Sequence, residues 1–294
     1  MEIEKGAVAI TETLTHAFEE KRGCLITRNG STELQVLSFF HEIGTRPPPT
    51  LCQLLERASG VFPPTEDSVR RWASTYMMSL ACLQDEPMVV GWFSPLKSTE
   101  KEILEKLAPG IRPFPLRVLE PYYVPAEKRW TRLLAGKRVG VVTSFSTSVG
   151  KQIPKREEIW GPEADSLLPP TTAWIPIQTG FPPSIAGGEY EWPSSISCWE
   201  DAIEYLVEKV MTERCEVCLI GCGALGTILG ARLKEKGVVC VVMGGALQVL
   251  FGIKGKRWEN HAIISTFWNE HWISPVEIPR GAGKIERGCY WMET

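Results

Sequence analysis

One stretch constrains the fold more than any other. Glu216-Val-Cys-Leu-Ile220 is a short apolar run, residues 224–236 carry helical spacing ended by Gly237, and Val238-Val-Cys-Val-Val-Met243 is a second apolar run. Strand, helix and strand within about thirty residues make a βαβ unit. Its two strands are parallel, and a parallel sheet needs helices on its faces. The chain therefore reads as α/β, with a largely parallel sheet flanked by helices.

The remainder is consistent with that unit. Ile3, Ala7, Ile10, Leu14 and Phe18 predict an amphipathic helix over 6–21, and Cys24-Leu-Ile-Thr27 a strand. After a turn at Asn29-Gly30, a second helix carries Leu34 to Phe40, and further helices are expected over 50–59, 66–84 and 98–107. Met88 to Phe93 reads as a strand, and the Pro-rich segment 109–125 as extended chain with a short strand near Arg117-Val-Leu119. Lys137 to Thr143 is a buried strand candidate; a loop over 144–149 and a polar helix to Trp160 follow. Ala173 to Gln178 is a strand whose Pro176 favours an edge. Ser197-Cys-Trp-Glu200 has the spacing of a capping box opening a helix whose apolar face includes Trp199 and Leu206.

Composition narrows the function. A 294-residue chain with 44% hydrophobic and 23% charged residues is globular and large enough to bury a sizeable core. A net charge of −3 gives no nucleic-acid or anionic-membrane footprint, and no apolar stretch approaches a membrane span. The N-terminal Met1-Glu-Ile-Glu-Lys5 lacks the basic start and apolar run of a secretory signal, so the expected compartment is cytoplasmic. The 9 cysteines are odd in number and scattered, which argues against a disulfide framework. Cys215-Glu-Val-Cys218 has no second C-x-x-C and no nearby His, and reads as buried strand residues.

Three motifs carry candidate chemistry. Gly221-Cys-Gly223-Ala224-Leu-Gly226 satisfies G-x-G-x-x-G between a strand and a helix, where backbone can approach a phosphate at the helix N-terminus. A nicotinamide-dependent dehydrogenase would place an acid after the next strand, yet no Asp or Glu occurs between Glu235 and Glu259. Tight strand–helix packing and a phosphate-bearing ligand both remain open for these glycines. Gly244-Gly245-Ala-Leu-Gln, continuing to Lys254-Gly-Lys256-Arg257-Trp258, lies at the carboxyl side of the sheet. Its basic residues suit either a diphosphate or plain solvation. Arg28-Asn29-Gly30-Ser31-Thr32-Glu33 spans a strand–helix junction, where Glu33 complements the helix dipole.

Taken together these motifs resemble the GT-D-type glycosyltransferases. The N-terminal mark of that family is R-x-G-D-x-E, which stands here as Arg28-Asn-Gly-Ser-Thr-Glu33. Trp130, Leu133 to Val139, Ser144-Phe145 and Gln152 match its middle segment. The most specific match is Leu219 to Gly226 together with Gly244 to Trp258, and Asn269 to Trp272 and Glu286 to Trp291 are similar to its ending.

The resemblance implies a Rossmann-like, GT-D-like fold in a single domain over 1–294, with two lobes meeting near 130–137. It implies transfer of a sugar from a nucleotide diphosphosugar to the hydroxyl of a glycan or glycoconjugate acceptor. Arg28 and Glu33 are the catalytic candidates it suggests. Asn29, Gly30, Ser31, Thr32, Gly221, Gly223, Ala224, Gly226, Gly244, Gly245, Lys254, Lys256 and Arg257 are the implied nucleotide-sugar-binding residues. A divalent cation, Mn2+ or Mg2+, is implied at Glu33, although Ser31 replaces the Asp and a hydroxyl is a poor cation ligand. Trp258, Trp272 and Trp291 are candidates for the site, and Trp199 for the core. The alternatives are a catalytically inactive nucleotide-sugar-binding protein and an NAD(P)-dependent oxidoreductase.

Overall fold

The computed structural model describes residues 2–83 and 86–292. Met1 and Gln84, which belong to segments read above, lie outside the described residues. The first half of the chain contains α1 (Glu2–Glu19), β1 (Cys24–Arg28), α2 (Ser31–Glu42), α3 (Pro49–Ser59), α4 (Glu66–Ala81), β2 (Pro87–Val90), α5 (Lys97–Leu107) and β3 (Arg112–Pro115). The second half contains β4 (Arg138–Thr143), α6 (Ser146–Gln152), α7 (Arg156–Trp160), α8 (Ala164–Leu167), β5 (Ala173–Gln178) and α9 (Pro183–Ala186). It ends with α10 (Trp199–Thr212), β6 (Val217–Gly221), α11 (Gly226–Glu235), β7 (Val239–Val242) and α12 (Ala246–Leu250), followed by short 3₁₀ turns.

Among the described residues the seven strands form one parallel sheet in the order β3-β2-β1-β7-β6-β4-β5. The fold is α/β, with helices on both faces. Along β6 and β7, Val217, Leu219, Val239 and Val241 feed the core on one face, while Cys218, Ile220, Cys240 and Val242 feed the core on the other. Burial on both sides is why these strands read as unbroken apolar runs instead of alternating ones. The first face is covered by α1, α6 to α9, α12 and the C-terminal turns, the second by α2 to α5, α10 and α11. The two halves of the chain join where β1 pairs with β7, Cys24 beside Val239 and Ile26 beside Val241.

The connections fix where a ligand has access. From β4 the chain passes through α6 to α8 outward to the edge strand β5, whereas from β6 it passes through α11 back toward β7. Connections that leave in opposite directions open a crevice between the carboxyl ends of β4 and β6, the usual ligand position in open α/β sheets.

Several local expectations change. The strand in the Pro-rich segment is Arg112–Pro115, and Leu116–Leu119 is a 3₁₀ turn. Pro113 and Pro115 are tolerated there because β3 is an edge, as Pro176 is in β5. Helix α6 starts at Ser146, inside the segment read as loop, and stops at Gln152 before the helical run resumes at Arg156. The capping box is replaced by a neighbouring arrangement: the backbone N–H and hydroxyl of Ser197 both donate to Asp201, each at 3.0 Å, and Glu200 takes no part. Cys215 and Cys218 are buried in and beside β6 with free thiols. No helix among the described residues is long and apolar enough to cross a membrane.

Candidate functional site

The carboxyl edge of the sheet holds three adjoining cavities, and Arg28 at the end of β1 borders all of them. The first fills the crevice between β4 and β6 and encloses about 860 Å³ including its open mouth. Thr143, Ser144 and Phe145 line it from β4, and Gly221, Cys222 and Gly223 from β6. Phe181, Trp192, Tyr290 and Trp291 supply an aromatic wall. The second cavity lies beyond Gly245 and Met243, against Glu120, Arg257 and His261. The third opens over the first turn of α2, with Gly30, Ser31, Thr32 and Glu33 on one side and Arg57, Arg257 and Glu286 on the others.

Arg28 reaches this junction because the turn that follows β7 is built on glycine. Gly244 has φ +58°, and a Cβ there would overlap the Arg28 guanidinium. The Gly244-Gly245 motif and the Arg28 motif, far apart in the chain, are thus one structure across the β1–β7 pairing. Among the described residues the Arg28 side chain makes one long hydrogen bond, to the Asn29 carbonyl at 3.4 Å, and no ion pair. An arginine left without a carboxylate at the floor of a cleft is available to an anionic ligand.

Two further arginines approach the same point. Arg57, in the last turn of α3, is exposed and shares the first and third cavities with Arg28. It was not legible as a site residue, because the segment Arg57-Ala-Ser-Gly60 carries only a helix ending. Arg257 shares the second and third cavities. Its guanidinium lies over the rings of Trp258 and Tyr290, 5.4 and 5.0 Å from their centroids, and 3.4 Å from Glu286. The loop carrying it is pinned by Gln248 of α12, whose side-chain nitrogen donates to the carbonyls of Lys254 and Tyr290 at 2.9 and 2.8 Å.

Glu33 is buried at 7% exposure, with its carboxylate folded over the Cα of Gly30. Burial raises its pKa, and the Arg28 charge opposes that rise. Ser31 beside it is exposed. These two residues offer a hydroxyl and one buried carboxylate. No group of three or more His, Cys, Asp or Glu side chains suited to a metal forms among the described residues. This donor set does not fit a divalent cation held by the protein alone.

Other expected site residues stand elsewhere. Asn29 is fully buried and points away from the cavities: its amide nitrogen donates to Glu100 at 3.0 Å and its oxygen accepts from the Tyr76 hydroxyl at 2.9 Å. Ala224 is fully buried, and its carbonyl accepts the Trp72 indole N–H at 3.1 Å. Gly226 packs against Val242 and Ile220. Lys254 lies 5.6 Å from the Trp268 ring centroid and Lys256 is exposed; neither lines the three cavities. Of the basic triplet, Arg257 alone faces the site. Trp272 and Trp199 are core residues, while Trp258 and Trp291 are buried yet border cavities. Cys222 lines the first cavity, but burial pushes its thiol up to about 12, so it is not a thiolate nucleophile at neutral pH.

No family model matches the sequence, and no curated protein matches it. A solved structure described as "Selenomethionine substituted structure of domain of unknown function 1792 (DUF1792)" is similar to this chain over 83% of its length and 81% of that chain, at 14% identity and a TM-score of 0.42.

Proposed function

We propose that the chain is a glycosyltransferase that binds a nucleoside diphosphosugar across the carboxyl edge of the sheet and transfers the sugar to an acceptor hydroxyl. The observation that carries this reading is Arg28, a cation without an ion-pair partner among the described residues where three cavities meet. The diphosphate lies at that junction, between Arg28, Arg57 and Arg257. The nucleoside occupies the first cavity, whose aromatic wall suits a planar base. The arginines oppose the charge that builds on the diphosphate as the sugar departs. That assigns to arginine the role that the Asp of R-x-G-D-x-E and its cation would fill, and it makes donor binding independent of Mn2+.

The test is thermal denaturation of the protein against a panel of UDP-, GDP- and dTDP-sugars, each with and without Mn2+. A ligand at 100 times its Kd that binds only the folded state adds about 2.7 kcal/mol. One donor class is expected to raise Tm equally in both conditions. If none of the nucleotide sugars raises Tm while NAD(P) does, the transferase reading is lost. A shift without release of nucleoside diphosphate identifies a nucleotide-sugar-binding protein that does not turn over, the reading to which the Ser31 replacement points.

A further inference from the structure

The second cavity contains a carboxylate that no sequence motif marks. Glu120 lies within the Pro-rich segment, just before Pro121, and lines the cavity with Arg28, Arg117, Arg257 and His261. One of its oxygens accepts the Tyr122 hydroxyl at 2.6 Å; among the described residues the other has no hydrogen-bond donor, and no cation lies within ion-pair distance. The turn that carries it is anchored. Arg129, at 7% exposure, donates from Nε to the carbonyls of Pro121 and Val124, both at 3.0 Å, and Tyr122 stacks on Trp160 at 5.8 Å. A carboxylate on a braced turn that lines the cavity beside two arginines of the diphosphate junction, with one oxygen that has no donor among the described residues, is placed to receive a proton.

The imidazole of this cavity is placed to donate. Nδ1 of His261 accepts the backbone N–H groups of Ile263 and Ile264 at 3.3 and 3.2 Å, so the proton of the neutral ring sits on Nε2. Glu33, in the third cavity, is almost fully enclosed.

Resting on the reading of the chain as a nucleotide-sugar transferase, we infer that Glu120 is the base of the transfer and that the acceptor hydroxyl meets the anomeric carbon in the second cavity. Glu120 takes the hydroxyl proton as the acceptor oxygen bonds to the anomeric carbon. The bond from that carbon to the phosphate oxygen breaks, and its electron pair leaves with the nucleoside diphosphate. A single displacement inverts the anomeric configuration. Burial holds the Glu120 carboxyl above the usual carboxylate range, with the Tyr122 hydrogen bond and the Arg117, Arg28 and Arg257 charges acting against it. The groups facing it are therefore those three arginines, Tyr122, Tyr123 and His261.

The experiment uses water as acceptor and follows nucleoside diphosphate released from UDP-glucose, UDP-N-acetylglucosamine, GDP-mannose and dTDP-rhamnose by wild type, Glu120→Gln and Glu120→Asp, with donor-induced Tm shifts measured alongside. Glu120→Gln is expected to lower kcat about 10²- to 10⁴-fold while keeping the wild-type donor shift. Glu120→Asp is expected to recover part of the rate, and the acidic limb of the wild-type kcat profile to disappear in Glu120→Gln. The sugar first released, read by NMR before it equilibrates, is expected to have the anomeric configuration opposite to the donor. Turnover of Glu120→Gln within about threefold of wild type, or a released sugar of retained configuration, overturns the assignment; wild-type binding without release of nucleoside diphosphate overturns the transferase reading and the assignment with it. A wild-type protein that none of the donors stabilises overturns the transferase reading, and this inference with it.

Discussion

The two strand–helix junctions at the carboxyl edge are built on opposite plans. At β6–α11 the sequence carries a full G-x-G-x-x-G, yet packing accounts for much of it. Gly223 has φ +59° and its Cα faces the end of α3, where a Cβ would come within 2.5 Å of the Ser59 carbonyl; Gly226 seats α11 against the sheet. At β1–α2 only one glycine is present, but the junction presents Arg28, which has no ion pair among the described residues, and Glu33, buried at 7% exposure. Beneath them lies a buried polar chain. Thr27 and Thr227 hydroxyls are 2.8 Å apart, Thr227 reaches the Tyr76 hydroxyl at 3.2 Å, and Tyr76 leads through Asn29 to Glu100. A glycine pattern is therefore a statement about how closely backbones approach. Uncompensated side chains are the better pointer to chemistry.

Gly223→Ala gives the largest expected effect and would break this contrast most directly. The left-handed residue costs about 1–2 kcal/mol, and displacing α3 adds about 1–3 kcal/mol. In a chain of this size that lowers Tm by roughly 3–8 °C. Because Gly223 also borders the first and third cavities, donor affinity per folded molecule is the discriminating readout: a loss confined to stability makes this glycine a packing residue, whereas a variant of wild-type stability that had lost the donor would make the glycine turn the phosphate cradle. Arg28→Gln is expected to do the reverse, keeping Tm and weakening nucleoside diphosphate binding by the worth of a charge-assisted hydrogen bond, about 1.5–3 kcal/mol or roughly 10- to 150-fold. Calorimetric titration with UDP and GDP reads it.

Glu33→Gln is smaller and pH-dependent. Burial puts the folded-state pKa of Glu33 above its ordinary 4.5. The folded protein then holds the proton more tightly than the unfolded chain, so this group costs stability as pH rises from 4.5 through the raised value, and the cost persists at neutral pH. Denaturant titrations should find the variant more stable than wild type at pH 7, with the gain gone by about pH 3, below both pKa values. A variant less stable at pH 7 would mean that the ionised carboxylate is paired in solution. Lys256→Ala is expected to change neither stability nor binding beyond about 0.5 kcal/mol, since the side chain is exposed and borders none of the three cavities.

The sheet was largely legible because parallel strands buried on both faces leave apolar runs, and helices between them leave spaced ones. β4, β6 and β7 appear near their predicted limits for that reason. β3 was displaced because Pro113 and Pro115 mask a strand that only an edge position permits. Of the residues that border the three cavities, Arg28, Glu33, Gly244 and Arg257 were legible through local patterns. Arg57 and Glu120 were not, since each is brought to the cleft by a helix ending or a Pro-rich turn whose destination depends on tertiary packing. Asn29 and Ala224 erred the other way: adjacent residues in a motif point to opposite faces of the sheet, and theirs is the face filled by Trp72 and Tyr76.

The prolines of the two outermost strands bear on how copies of this molecule can meet. Ala173 and Thr179 both donate their N–H groups toward β4. Alternation then turns the ring of Pro176 to the outer side of β5, where a visiting strand would find no donor and a bulky obstacle. β3, with prolines at alternate positions, presents a similarly blunted rim. Growth of the sheet from one molecule into the next is discouraged at both borders, so association has to run through helical surfaces or through the crest where the cavities open.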